Sequence, residues 1–258
     1  MTTQIVAGIL FALVTAAVSR RAGFLTPGGA AAQAVLGSLI FGLGGWGWAI
    51  PILFFFFLSS LLSTIGAGRR REMEALFEKG ATRDAAQVIA NGGVGGLCAV
   101  VWALTGDPRW FTAYLGSVAA ATADTWGTEV GVLAGGRPLL LTTLRPVERG
   151  TSGAVSPLGT FFGGVGALCI GLCGLPWSSS RDILLPVLLA GVGGSLADSL
   201  LGATLQAGYK CPSCGKMTER RVHCGSRTSK AGGLSWVGND LVNFACTAIG
   251  AAIGLFMA

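Results

Sequence analysis

The residues best placed to do chemistry fall in two neighbouring segments. Ala123-Asp124-Thr125-Trp126-Gly127-Thr128-Glu129 sets two carboxylates inside an apolar stretch of helix length. An ionised group there is strongly disfavoured unless it is paired, hydrated or metal-bound. The second segment, Arg145-Pro146-Val147-Glu148-Arg149-Gly150-Thr151-Ser152-Gly153, is a basic loop ending in small residues. Its guanidinium groups and free backbone N–H groups suit an anion. Acids beside a phosphate-sized cradle suggest a metal–nucleotide site at a membrane surface.

A third acid extends the pattern. Ala197-Asp198-Ser199 echoes Ala123-Asp124-Thr125, each after a run of Gly, Ala and Ser, which reads as a weak internal repeat. Asp124 and Glu129 are five residues apart, about 140° around a helix, so they flank a groove more readily than they chelate side by side. Gln87 and Asn91 share one helical face, as do Asn239 and Asn243, with Asp240 between the latter two. Isolated buried amides are commonly interhelical glue. The carboxylates Asp124, Glu129 and Asp198 are different, because no intramembrane Lys or Arg neutralises them. Magnesium suits such a set, using one or two carboxylates plus the phosphates of a nucleoside triphosphate; protons and sodium compete for the role. Gly150-Thr151-Ser152-Gly153 is no Walker loop, which carries Lys-Ser or Lys-Thr after its second glycine. Its proximity to Pro157, a helix-starting residue, places its N–H groups near a helix N-terminus that favours anions.

Cys211-Pro-Ser-Cys214-Gly, followed by His223-Cys224-Gly, is the sharpest motif. A Cys-x-x-Cys knuckle plus the chain's single histidine beside another cysteine predicts a closed Cys3His zinc site, structural rather than catalytic. Whether adjacent His223 and Cys224 both reach one metal stays open. Cys98, Cys169, Cys173 and Cys246 lie in apolar segments and read as packing residues.

The elements that must position these groups are membrane spans. Apolar residues make up 52% of the chain and charged ones 12%, and long runs carry no charge, as bilayer spans require. The expected fold is an all-α polytopic membrane protein, one domain over 1–258 with a short cytoplasmic Cys/His loop at 208–232. Eight spans are expected at 3–19, 29–49, 50–67, 84–104, 110–134, 157–176, 183–206 and 234–257, the first retained rather than cleaved as a signal. Glycine-rich stretches such as Gly92 to Gly96 and Gly159 to Gly166 predict close helix contact. Basic residues Arg20, Arg21, Arg69 to Arg71, Lys79, Arg83, Arg137, Arg145, Arg149 and the six from Lys210 to Lys230 fall in alternate loops, against Arg109 and Arg181 on the other side. The positive-inside rule then puts those loops in the cytoplasm and both termini opposite. The net charge of +6 is topology, with no interleaved aromatic–basic surface for nucleic acid.

In combination, Ala-Asp-Thr-Trp-Gly-Thr-Glu, Thr142-Thr143-Leu144-Arg145, Gly-Thr-Ser-Gly-Ala-Val-Ser at Gly150 to Ser156, Ala197-Asp198-Ser199 and Asn239-Asp240-Leu-Val-Asn243 resemble the integral membrane family of transmembrane protein 19. The resemblance spans nearly the whole chain. It implies a phytyl-phosphate kinase-like activity of the kind that serves tocopherol synthesis, in a cell or thylakoid membrane, with looser likeness to CTP-dependent polyprenol kinases and lipid cytidylyltransferases. On that likeness Asp124, Glu129 and Asp198 hold magnesium and triphosphate, with Arg145 among the catalytic groups. Arg149, Gly150, Thr151, Ser152 and Gly153 bind phosphate, and Asn91, Asn239, Asp240 and Asn243 complete the cavity. The implied partners are CTP or another nucleoside triphosphate, an isoprenoid phosphate and the membrane, with no nucleic acid and homodimerisation left open. A transporter with a polar cavity is the rival from another class.

Overall fold

The computed structural model describes residues 2–65, 80 and 82–258. Among the described residues are eight long helices: α1 Thr2–Arg21, α2 Pro27–Gly44, α3 Trp46–Ile65, α4 Ala85–Thr105, α5 Arg109–Leu133, α6 Pro157–Gly174, α7 Leu184–Thr204 and α8 Asn239–Phe256. Seven are long and apolar enough to cross a bilayer; α5, which carries the acids, is the exception by composition. The expected helical membrane fold is what the chain adopts. Arg69 to Arg71, Lys79 and the last two residues of the expected third span lie outside the described residues.

Local sequence explains the helix starts. Thr26 accepts from the Gly29 N–H ahead of Pro27, and Ser156 does the same for Gly159 ahead of Pro157. Asp84 and Gln87 form a reciprocal capping box. Two boundaries differ from the sequence expectation. The break between α2 and α3 falls at Gly45, held at φ 69°, because that left-handed turn is open to glycine, while Pro51 is accommodated inside α3. Helix α8 begins at Asn239 rather than 234, since Leu234 and Val237 are used in tying the preceding segment down: the Leu234 N–H donates to Leu205 O, and the Ala207 N–H to Val237 O.

Helix α5 is the axis of the bundle, packed by α3, α4, α6, α7 and α8. Every residue from Phe111 to Ala123 is buried. Such enclosure demands small contact residues. A Cβ on Gly250 of α8 would lie 2.5 Å from the Gly116 carbonyl oxygen, and one on Gly159 of α6 would lie 2.5 Å from that of Gly127. These backbone-to-backbone approaches are the van der Waals packing that holds helices together where lipid removes the hydrophobic drive. Around Tyr114, Leu115 and Val118, the rings of Trp48 and Phe111 complete a dense core, with the Tyr114 hydroxyl donating to Trp48 O.

The chain folds up and down, so the connections after α1, α5 and α7 share one face with the end of α3 and the start of α4. Two of them carry strands. Between α5 and α6, β1 Leu139–Leu140 pairs antiparallel with β2 Ala154–Val155. Between α7 and α8 lies a β-rich module: β3 Gly208–Lys210 pairs with β4 Met217–Thr218 and β7 Ser229–Gly232, while β5 Val222–His223 pairs with β6 Ser226–Arg227.

Candidate functional site

One polar cavity of about 270 Å³ opens at this face. Its wall takes Arg83, Gln87 and Asn91 from the start of α4, Asp124, Thr128 and Glu129 from the end of α5, and Ser195, Asp198 and Ser199 from the end of α7. Asn239 and Asn243 come from the start of α8. The loop from Arg149 to Ser156 covers it, leading into the N-terminus of α6. Polar ends of four helices thus meet around one space.

Glu129 is buried and accepts a 2.6 Å hydrogen bond from Ser63 Oγ of α3. Asp124 accepts from Ser195, and it lies near enough to Asp198 for the two carboxylates to repel. Asp198 Oδ2 is buried with no hydrogen-bond partner among the described residues. Below the acids, the packed core from Phe111 to Ala123 closes the path toward the opposite face.

The loop is pressed onto α7 by Gly153. At φ 78° this residue adopts a left-handed turn, and a Cβ would run into Ser199 O and the Ala203 backbone. Its polar groups are engaged internally. Thr151 donates through both N–H and Oγ1 to Glu148 O, Arg149 donates to the carbonyls of Gly135 and Gly136, and Ser152 Oγ donates at 2.8 Å to Glu219.

Two expected site residues are not on the wall. Arg145 is exposed on an outer limb, because Leu139 is bridged by Pro146 on one side and paired with Val155 on the other, leaving the 145–146 limb one strand farther out. Asp240 follows Asn239 by one residue, about 100° around the helix, and does not line the cavity with it. Conversely, the sequence reading did not mark Ser63, Ser195, Gln206 or Glu219, nor Arg83 as more than a loop charge. Arg83 had a signal: it immediately precedes the Asp84 capping box, which fixes it at the helix mouth. There it bonds Ser60 Oγ at 2.7 Å and lies over the Phe55 and Phe56 rings. Glu219 had none, since a carboxylate in a polar loop is unremarkable until the loop folds.

Cys211, Cys214, His223 and Cys224 converge, with one ligand atom from each all within 4.8 Å of one another. His223 Nδ1 is 3.5 Å from Cys214 Sγ and 3.3 Å from Cys224 Sγ. A tetrahedral zinc with ordinary Zn–S and Zn–N bonds sets that edge at about 3.6 Å, so the residues fit the metal. Adjacent His223 and Cys224 both reach it because Cys224 and Gly225 take φ 52° and 72° in the two-residue β5–β6 turn, the mirror-image geometry that reverses the chain at once. His223 beside it pulls the Cys211 thiol down to about 6, favouring the metal-binding thiolate, while desolvation pushes Cys224 up.

Apolar surface adjoins the cavity. A groove of about 600 Å³ over α6 and α7, walled by Phe161, Leu168 and Leu188, shares Val155, Ser156, Thr160 and Gly164 with it. A cleft of about 80 Å³ among α1 to α4 meets it at Arg83, Gln87 and Asn91.

Relatives cover most of the chain. An uncharacterised membrane protein of Methanocaldococcus jannaschii is 33% identical over 204 residues, covering 77% of this chain and 82% of its own. Protein PGR of Arabidopsis thaliana is 31% identical over 226 residues, 78% and 77% of the two chains. An uncharacterised membrane protein of Synechocystis is 30% identical over 250 residues, 95% and 86%. No solved structure matches. The model of the integral membrane protein family DUF92 matches residues 10–251, across all eight helices and both β-bearing connections, and the chain belongs to that family.

Proposed function

We propose that this protein is a magnesium-dependent lipid phosphotransferase, moving the terminal phosphoryl group of CTP or another nucleoside triphosphate onto a membrane-embedded isoprenoid phosphate such as phytyl phosphate. The observation that carries the reading is the continuity of an acid-walled cavity with an apolar groove at its rim. That is the shape a substrate with a charged head and an apolar tail demands.

Asp124, Asp198 and Glu129 are the groups that would hold magnesium, whose chemistry when bound is to neutralise charge on the transferring phosphates. Asn91, Asn239 and Asn243 can donate to phosphate or ribose oxygens. The N-terminus of α6, beyond Ser156, offers the positive end of a helix to the same anions. A lipid phosphate oxygen attacks the γ-phosphorus in line. The bond from γ-phosphorus to the β–γ bridging oxygen breaks, and nucleoside diphosphate leaves. The acceptor is already an anion, so no strong general base is required, and alignment supplies most of the rate. The tail lies in the α6–α7 groove.

The test is direct. Purified protein in detergent, given CTP or ATP, magnesium and phytyl phosphate, releases nucleoside diphosphate. Release of pyrophosphate instead identifies a cytidylyltransferase. Absence of turnover with substrate-driven uptake into vesicles identifies a carrier.

A further inference from the structure

Glu219 comes from the Cys/His module, yet it lines the helix-walled cavity. It accepts from Ser152 Oγ of the covering loop and from Gln206 Nε2 at the end of α7, both at 2.8 Å. It lies within electrostatic range of Asp198. Four carboxylates from three parts of the chain, Asp124 and Glu129 of α5, Asp198 of α7 and Glu219 of the module, therefore face one space, and one of them, Asp198, keeps a buried oxygen without a hydrogen-bond partner among the described residues. Mutually repelling acids with an unused buried oxygen are what a cation would resolve. Among the described residues only the Cys/His group brings three or more ligand atoms within 4.8 Å of one another. The acids wall a wider space, as suits a hydrated cation that shares its ligands with phosphates.

We propose that Glu219, carried in by the Cys/His module, joins Asp124, Asp198 and Glu129 in walling a divalent-cation site, so that metal loading of the module governs cation binding in the cavity. This rests on the phosphotransferase reading only for the cation's use, not for its binding. The linkage follows from chain geometry. Glu219 stands between the two ligand pairs, five residues after Cys214 and four before His223. Metal closing both pairs fixes the segment between them at both ends. That segment is further held by β4 pairing with β3 and by Thr228, whose Oγ1 donates to Arg220 O and whose N–H donates to Arg221 O. The module in turn is seated on the helices through Gly233, at φ 69° and directly against the Gln206 carbonyl, where a side chain would collide. A metal-free module releases Glu219 from the cavity.

The experiment titrates manganese into the purified, zinc-replete full chain in detergent and follows free Mn2+ by electron paramagnetic resonance, with no nucleotide or lipid present. Wild type binds Mn2+. Glu219→Gln weakens that binding by at least about tenfold while keeping its zinc and its protease resistance across 208–232. Cys211→Ser loses zinc and shows the same weakening. Glu148→Gln, which removes one exposed acid away from the wall, leaves Mn2+ affinity unchanged. Absence of Mn2+ binding to wild type, wild-type affinity in Glu219→Gln, or equal weakening in Glu148→Gln overturns the site. Zinc loss in Cys211→Ser with Mn2+ affinity intact overturns the linkage. Intact Mn2+ binding without phosphoryl transfer removes the enzymatic reading alone.

Discussion

Asp198→Asn separates the two roles a buried acid can have. The substitution preserves volume but removes the charge, and it places an amide where Asp198 Oδ2 has no hydrogen-bond partner among the described residues, close to the Asp124 carboxylate. Without magnesium, the neutral amide adds no charge to a crowded group of buried acids, so the variant is at least as stable as wild type. With magnesium, the balance reverses. Wild type at about a hundred times the dissociation constant is stabilised by about 2.7 kcal/mol through mass action, and Asp198→Asn loses that increment. Turnover falls at least about a hundredfold, equivalent to about 2.7 kcal/mol of transition-state stabilisation. The assay is thermal unfolding in detergent with chelator and with magnesium, alongside nucleoside diphosphate release. Wild-type turnover together with an undiminished magnesium-induced rise in the unfolding midpoint would refute the assignment of Asp198 to the cation.

Three further outcomes follow from the geometry. Cys211→Ser removes about one equivalent of zinc by elemental analysis and exposes 208–232 to protease, because a closed metal site contributes folding energy to the segment that holds it; retention of zinc refutes the ligand set. Arg149→Lys slows turnover several-fold since an ammonium cannot bridge the Gly135 and Gly136 carbonyls as the guanidinium does, whereas Arg145→Lys, off the wall, shows wild-type kinetics. Gly250→Val lowers the thermal unfolding midpoint, its branched side chain driven into the Gly116 carbonyl at a loss of about 1–3 kcal/mol; an unchanged midpoint would show that α5 and α8 can separate freely.

How much of this was legible depended on the environment of each residue. Asp124, Glu129 and Asp198 stood out because an acid in an apolar run has few reasons to be there, and they do share one cavity. Asn239 and Asn243 were readable from helical periodicity, which also explains why Asp240 between them turns away. Arg145 was misleading since spacing along a loop does not say which limb of a ribbon faces inward. That depends on the Leu139 pairings, which no local pattern announces. The Cys/His cluster was visible as spacing, but the reach of both His223 and Cys224 required the positive φ at Cys224. Glu219 acquired meaning only through the docking of the module between α7 and α8.

The enclosure of α5 bears on how the protein is made. Its composition falls short of the other seven helices because five neighbours, not lipid, form most of its surroundings. During synthesis, however, α6, α7 and α8 do not yet exist when α5 emerges, and Asp124 and Glu129 in its second half both oppose partition into hydrocarbon, an acid at a helix centre costing about 2.5–3.5 kcal/mol and less toward the end. Helix α5 therefore enters the bilayer as a poor candidate for release and settles only when the later glycine-rich helices arrive to clasp it. Truncation after α5 removes three of the five helices packed against it, so that helix is expected to lose its place in the membrane.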